Sequence, residues 1–303
     1  MKAPGGWGWL LAAVVLWLPF AAVGETLYAA TVRTGAGGSD AVTGSLYLVN
    51  LGSGSATFVA PIRLNGNTPL GITGMAAHPA SGVMYGITSP MSGGHPQSLV
   101  MVDPNSGNAT LVGDLRFPGS DIAFNKAGIL FTWLPGTSQL GIVNLNTGAV
   151  TPIGNAGAAG TIAGLAIDER GTAYITPSGA AGTLDTVDTA TGAVKKGPQL
   201  NGAPFASAIN SMTFTPSGLL LAVNSNAGSP AATRLVTINT ASGAVSNIGT
   251  LPDDTDALAF VQTQYREPLI TGQTLALLVL GAIALVLGLI GWAVGRRPRP
   301  PAG

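Results

Sequence analysis

The chain has 303 residues, 44 of them glycine, no cysteine, and only 9% charged side chains. Without thiols it has no disulfide and no thiolate metal site, so core packing and backbone ladders must hold the fold. Nine Lys/Arg and thirteen Asp/Glu fall between Glu25 and Pro268; that mildly acidic balance leaves no basic stripe to displace phosphate counterions and excludes a nucleic-acid partner.

Residues 1–24 carry one Lys near the start, an apolar stretch from Trp9 to Ala22, and small residues at Ala22 and Gly24. This is the form of a secretory signal peptide cleaved before Glu25, and it predicts an exported mature protein.

From residue 25 onward two repeats interleave. In the first, an Asn or Asp is followed three residues later by a hydroxyl residue and then Gly: Asn50 to Gly54, Asp103 to Gly107, Asn144 to Gly148, Asp188 to Gly192 and Asn239 to Gly243. Each is flanked by short alternating apolar runs, so each reads as a strand, a tight turn and a strand. The Asx side chain accepts from backbone N–H groups two residues on, and the Gly takes a left-handed conformation. The second repeat is a small-apolar strand, a short turn ending in Gly, and another apolar strand: Gly74 to Tyr85, Asp121 to Phe131, Gly164 to Tyr174 and Ser211 to Leu221. A fifth copy begins at Ala257-Leu-Ala-Phe260 and has no second strand behind it, whereas Thr26-Leu-Tyr-Ala-Ala-Thr31 has the pattern of such a second strand.

Gly-to-Gly intervals of 53, 41, 44 and 51 residues in the first repeat match the period of a propeller blade. The sequence therefore predicts an all-β fold, a five-bladed β-propeller of four-stranded blades over residues 25–262. The strand 257–261 closes the first blade as its innermost strand and removes an open edge.

After a linker at 263–274, Leu275 to Val294 runs 20 residues without a charge, about 30 Å as a helix, and Arg296, Arg297 and Arg299 follow in the tail 295–303. This reads as one transmembrane helix in the lipid bilayer with its basic flank cytoplasmic and the ring outside. A plain stop-transfer anchor is the leading reading of the helix.

The blade region, most visibly Gly164 to Thr176 followed by Leu184 to Thr191, resembles the YVTN-type and related surface-layer propellers. Those families imply the fold and no single activity. Glu267-Pro268, the apolar helix and the terminal Arg cluster, residues 266–299, resemble the PEP-CTERM sorting signals of Gram-negative bacteria. That resemblance implies recognition at Glu267 and Pro268 by an exosortase-like membrane protease and display at the cell surface.

The blade pattern also sorts the loops. Hairpin turns are short, whereas the connections at 32–44, 89–97, 134–138, 177–182 and 224–233, and those between blades at 62–72, 114–120, 154–162, 197–209 and 250–256, are long and dissimilar. Both long sets emerge on one face, where binding residues are expected. At its centre the entries to the inner strands place Thr73, Ser120, Asp121, Asn210, Ser211 and Asp256 around the axis, with Asp253 and Asp254 above. Asp121, Asn210, Asp256 and Asp253 are the ligand-binding candidates at this channel mouth, and oxygen donors such as Asp121 and Asp256 can hold a calcium ion or hydrogen-bond a sugar.

Other motifs offer less. Gly154-Asn-Ala-Gly157-Ala-Ala-Gly160 precedes a strand rather than the helix a dinucleotide site needs. Two histidines, His78 and His95, supply little for a zinc site or a catalytic triad. Glu25, Glu169 and Glu267 are the only Glu before the apolar helix, too few and too peripheral for a glycosidase pair. Trp133, in a second strand before Pro135, reads as core or rim filler rather than a stacking platform. The leading function is a non-catalytic, membrane- or surface-anchored propeller that binds or displays an extracellular polysaccharide or protein as an envelope or matrix component. The alternatives are a propeller hydrolase or lactonase, and a scaffold for a membrane partner.

Overall fold

The computed structural model describes residues 24–32, 44–154, 162–177, 182–202, 208–226 and 232–263. Residues 1–23 of the predicted signal peptide, the stretch carrying Glu267 and Pro268, the apolar segment 275–294 and the basic tail lie outside these residues, whereas Gly24 and Thr263, placed by the sequence in the signal peptide and the linker, belong to strands.

Five sheets form among the described residues, each built on an antiparallel stack of four strands running outward from a common axis, and one of them is extended to six strands. Blade 1 joins β1 (Gly24–Thr31), β2 (Ser45–Val49) and β3 (Ala56–Pro61) to the last strand, β22 (Thr255–Thr263), in the order β22-β1-β2-β3. Blade 2 comprises β6 (Ile72–Ala77), β7 (Met84–Thr88), β8 (Ser98–Val102) and β9 (Asn108–Asp114). Blade 3 comprises β10 (Ile122–Phe124), β11 (Leu130–Leu134), β12 (Gln139–Val143) and β13 (Val150–Ile153). Blade 4 comprises β14 (Ile162–Ile167), β15 (Ala173–Pro177), β16 (Asp185–Val187) and β17 (Val194–Lys195). Blade 5 comprises β18 (Ala208–Phe214), β19 (Leu220–Asn226), β20 (Ala232–Ile238) and β21 (Val245–Leu251). The molecule is a five-bladed β-propeller.

Closure is by the chain termini of the ring. β1 and β22 pair antiparallel from Gly24↔Thr263 to Thr31↔Thr255, so the final strand is innermost in the first blade as the truncated fifth repeat predicts. The connection at 62–72 departs from a plain loop: β4 (Arg63–Leu64) pairs parallel to β9 and β5 (Thr68–Pro69) folds back on β4, covering the outer edge of blade 2. Its backbone can do so because β9 otherwise presents unpaired edge groups.

The core divides into five slabs, one between each pair of neighbouring blades. Met75, Val100 and Ile72 of blade 2 pack on Leu46, Ala259 and Val261 of blade 1. Ile122 and Leu130 pack on Ile87 and Leu99, and Leu165 and Ile175 on Phe131 and Trp133. Met212 and Leu220 pack on Ala166 and Leu184, and Leu27 and Leu258 on Leu221 and Leu235. Period-two alternation produces this directly, because each strand sends successive side chains to opposite faces and both faces of every blade meet another blade. Trp133 is fully buried, as its sequence context predicts.

The Asx turns form as their spacing requires. Asn50 Oδ1 accepts from Gly52 N at 2.9 Å and Ser53 N at 3.1 Å; Asp188 Oδ1 accepts from Ala190 N at 2.9 Å and Thr191 N at 2.8 Å. Gly54, Gly107, Gly148, Gly192 and Gly243 have φ between 68° and 74°. The structure adds a second reason for these glycines. A Cβ on Gly54 would lie 2.6 Å from the Cα of Gly249 in blade 5, and one on Gly107 would lie 2.6 Å from the carbonyl oxygen of Pro61 in blade 1. Gly148 is likewise pressed on Gly113, Gly192 on Ile153, and Gly243 on Gln199. Each turn is thus a clasp onto the preceding blade, and in two of the five the facing residue (Gly249 or Gly113) is also glycine.

Candidate functional site

The inner strands β6, β10, β14, β18 and β22 surround the axis, running from the loop end to the turn end. Near the loop end all but β10 share one irregularity: the register skips between Ile72 and Gly74, Ile162 and Gly164, Ile209 and Ser211, and Thr255 and Ala257. The extra residues at these bulges are Thr73, Ala163, Asn210 and Asp256. A bulge leaves its residue out of the ladder and re-aims it, which is how strand entries come to face the mouth. Ser120 stands at the corresponding point just ahead of β10.

This uppermost layer holds the predicted mouth residues in two groups. The Asn210 side chain hydrogen-bonds the carboxyl of Asp256, and Asn210 Oδ1 also accepts from Ser225 Oγ at 3.0 Å. Burial lifts the Asp256 pKa to about 8, with Asn210 opposing the shift and the neighbouring Asp254 adding to it. The Thr73 and Ser120 hydroxyl oxygens are buried and have no hydrogen-bond partner among the described residues. Asp253 is exposed, and the carbonyl of Asp254, at φ 59°, accepts from Val32 N at 3.0 Å.

Asp121 lies one layer deeper and does something different. Its side chain is completely buried. Oδ1 accepts from its neighbour Ile122 N at 2.9 Å and from Ser211 Oγ at 3.3 Å. Oδ2 accepts from Leu165 N of blade 4 at 3.0 Å and Met212 N of blade 5 at 3.1 Å. Ser211 Oγ in turn accepts from Leu258 N of blade 1 at 3.1 Å. Blades 1, 3, 4 and 5 are therefore tied through one carboxyl group. Blade 2 contributes Gly74, where a Cβ would stand 2.7 Å from the Asp121 Cα. Around this layer the other inner strands carry Gly74, Gly164, Ser211 and Ala257, small residues that leave the axis to the one larger side chain.

Burial drives the Asp121 pKa well up, against four hydrogen bonds that favour the ionised form. Calcium does not fit the group: a cation there would face four donors rather than the six to eight oxygens it requires. Among the described residues no three His, Asp or Glu side chains are gathered to hold a metal ion. The mouth candidates thus separate, Asn210 with Asp256 above and Asp121 with Ser211 below.

At the turn end the axis opens into a cavity of about 400 Å³. Its depths are Met75, Ile122 and Met212, its sides Ala76, Ala123, Ala166 and Thr213, and three rings (Phe124, Phe214 and Phe260) wall it. Sequence reasoning directed attention to the long loops and missed this end. The signal was present in the second repeat, whose inner strand follows the axial residue with Ala76, Ala123, Ala166, Thr213 and Ala259 at one repeated position.

At the cavity rim equivalent residues of four blades cap their own hairpin turns. His78 Nδ1 accepts from Ala80 N and Ser81 N, both at 3.2 Å. Asn125 Oδ1 accepts from Ile129 N at 2.9 Å. Asp168 Oδ1 accepts from Arg170 N at 3.0 Å and Thr172 N at 2.8 Å. Thr215 Oγ1 accepts from Leu219 N at 3.0 Å. His78 is thus a turn cap with its ring edge-on to Phe124 at 5.1 Å. His95 lies on the loop face at φ 54°, where its carbonyl accepts from Thr88 Oγ1.

No family model matches this chain, and no curated protein does. A chain in a crystal structure of a nidogen/laminin complex is similar over 80% of this chain and all of its own length, at 13% identity and a TM-score of 0.53. A protein of unknown function from Bacteroides caccae matches 80% of this chain and 99% of its own, at 14% identity and a TM-score of 0.47. The first likeness, at 13% identity, speaks to the fold alone.

No described helix is long and apolar enough to cross a membrane, and the predicted span lies outside the described residues.

Proposed function

We propose that this chain is an exported, non-catalytic binding propeller, tethered through residues 275–294 or sorted to the cell surface after recognition at Glu267-Pro268. The propeller fold itself supports a binding or scaffold role. The ligand belongs at the loop-face mouth, as a hydroxylated polymer such as an extracellular polysaccharide.

The observation that carries this reading is the shared bulge. Repeated strands bring Thr73, Asn210 and Asp256, with Ser120 beside them, to one end of the axis, and two hydroxyl oxygens there are buried without a partner among the described residues. Buried polar atoms are normally satisfied, so an orphan pair beside an amide and a carboxyl suits a partner with hydroxyls of its own. Below that layer Asp121 and its donors seal the axis, so the ligand sits on the mouth rather than threading the ring. β22 ends, and β1 begins, at the turn end.

Isothermal titration of the protein with a panel of bacterial exopolysaccharide oligomers tests the site. Saturable binding that Asn210→Ala and Asp256→Asn each weaken at least tenfold is the expected result. Binding indifferent to both substitutions would move the site elsewhere. Intact mass of the mature protein from its own cells tests the tether: a chain beginning at Glu25 is expected, retaining residues 275–294 if anchored and lacking them if sorted.

A further inference from the structure

The turn-end cavity carries an inference independent of the loop-face reading. Ligand cavities are concave, mostly apolar and marked by a few polar groups that fix orientation, typically at 300–1,000 Å³. This one meets that description at about 400 Å³, with walls drawn from several blades and three phenyl rings.

Its free polar groups can be found by elimination. His78 Nδ1, Asn125 Oδ1, Asp168 Oδ1 and Thr215 Oγ1 accept from their own turns, and the Asp168 carboxylate keeps its charge beside the cavity. The residues that follow these caps are Pro79, Lys126, Glu169 and Pro216, all lining the cavity. Two are prolines with no side-chain donor or acceptor. The other two are an ammonium and a carboxylate on the turns of neighbouring blades 3 and 4, both exposed. Neither makes a hydrogen bond or ion pair with another described residue. One deep hydroxyl, Thr213, interrupts an otherwise apolar wall.

We propose that this cavity binds a small zwitterion with an apolar side group, of the class of a free hydrophobic amino acid. Its carboxylate meets Lys126, its ammonium meets Glu169, and its side group lies among Phe124, Phe214 and Phe260. An uncharged apolar molecule would use the rings and leave both charges idle; an anion or a cation alone would face one charge of its own sign. A ligand with both charges at one end and an apolar other end satisfies Lys126, the acidic side of the rim formed by Asp168 and Glu169, and the apolar walls together.

The test is isothermal titration of the full-length protein in detergent with L-phenylalanine, L-leucine and L-methionine, against N-acetyl-L-phenylalaninamide, which keeps the ring and loses both charges. At least one free amino acid is expected to bind saturably below 10 mM, with the amide about tenfold weaker or more, since charged hydrogen bonds are lost. Lys126→Met and Glu169→Gln should each weaken that binding about tenfold while melting as the parent does, because both side chains are exposed. Equal binding of amino acid and amide would overturn the zwitterion and keep an apolar site. Binding insensitive to both substitutions would place the ligand elsewhere, and no binding by any probe would overturn the site. None of these outcomes bears on Asn210 or Asp256, so the two proposals fail separately.

Discussion

The carboxyl of Asp121 in blade 3 accepts the backbone N–H of Met212 in blade 5 at 3.1 Å, skipping the blade between them and 91 positions of sequence. A side chain that looks like a ligand donor at a channel mouth is therefore a strut, and its loss is a folding defect.

Asp121→Ala removes the acceptor from three backbone N–H groups and the Ser211 hydroxyl inside a sealed core. Each unsatisfied buried donor costs about 1–3 kcal/mol, so the variant should lose about 3 kcal/mol or more in urea unfolding. Asp121→Asn should recover only part of this, because its amide offers one oxygen where four donors converge. A variant with Ala at 121 that unfolds at the parent midpoint would refute the strut.

The ring depends on β22. Ending the chain after Gln264 should leave a soluble propeller, whereas ending it after Pro252 removes Ala257, Leu258, Ala259, Phe260 and Val261, all buried against blades 2 and 5, and bares the whole inner face of β1. That shorter chain should aggregate or fail to show a cooperative melt. Equal melting temperatures for the two would contradict the closed architecture.

Glycine clasps and ordinary turn glycines should respond differently to alanine. Gly218 has φ 83° and open space where a Cβ would go, whereas Gly148, at φ 74°, faces the backbone of Gly113. Gly218→Ala should cost about 1–2 kcal/mol from the left-handed conformation alone. Gly148→Ala adds an overlap between blades worth about 1–3 kcal/mol more. Thermal denaturation of the two variants side by side checks the difference.

Stability should fall as pH rises from about 4 to about 8. Asp256 is held protonated up to about 8 in the folded chain against an ordinary 3.8, so in that window the unfolded chain releases a proton that the native one keeps. Asp121 shifts in the same direction. The Asp256 contribution is fully present below pH 4, declines by at most about 1.4 kcal/mol per pH unit, and is gone above 8. Below pH 4 the opposite loss begins, because backbone hydrogen bonds hold the Asp103 and Asp188 pKa values low. Asp256→Asn should flatten the decline between pH 4 and 8. Melting temperatures against pH for both proteins decide it; an unchanged slope would mean that Asp256 ionises normally.

Much of this molecule is legible in its sequence because its determinants are local. An Asx residue and a Gly four positions apart close a turn through their own backbone, and alternating apolar residues assign faces to a strand wherever it later sits. The truncated fifth repeat and its orphan partner at Thr26 announce the closure. What the sequence could not reveal depends on distances between blades. Asp121 reads as a mouth carboxylate until the N–H groups of Leu165 and Met212 are brought to it, and no pattern near residue 121 encodes their approach. Asn210 and Asp256 lie near the ends of their strands in any reading, but only the shared bulge sets them above Asp121 instead of beside it. The turn-end cavity needs the alanines of three blades and the rings of three to meet around one axis. Local chemistry fixes turns and faces; the empty space and the long-range hydrogen bonds arise only when the five sheets close.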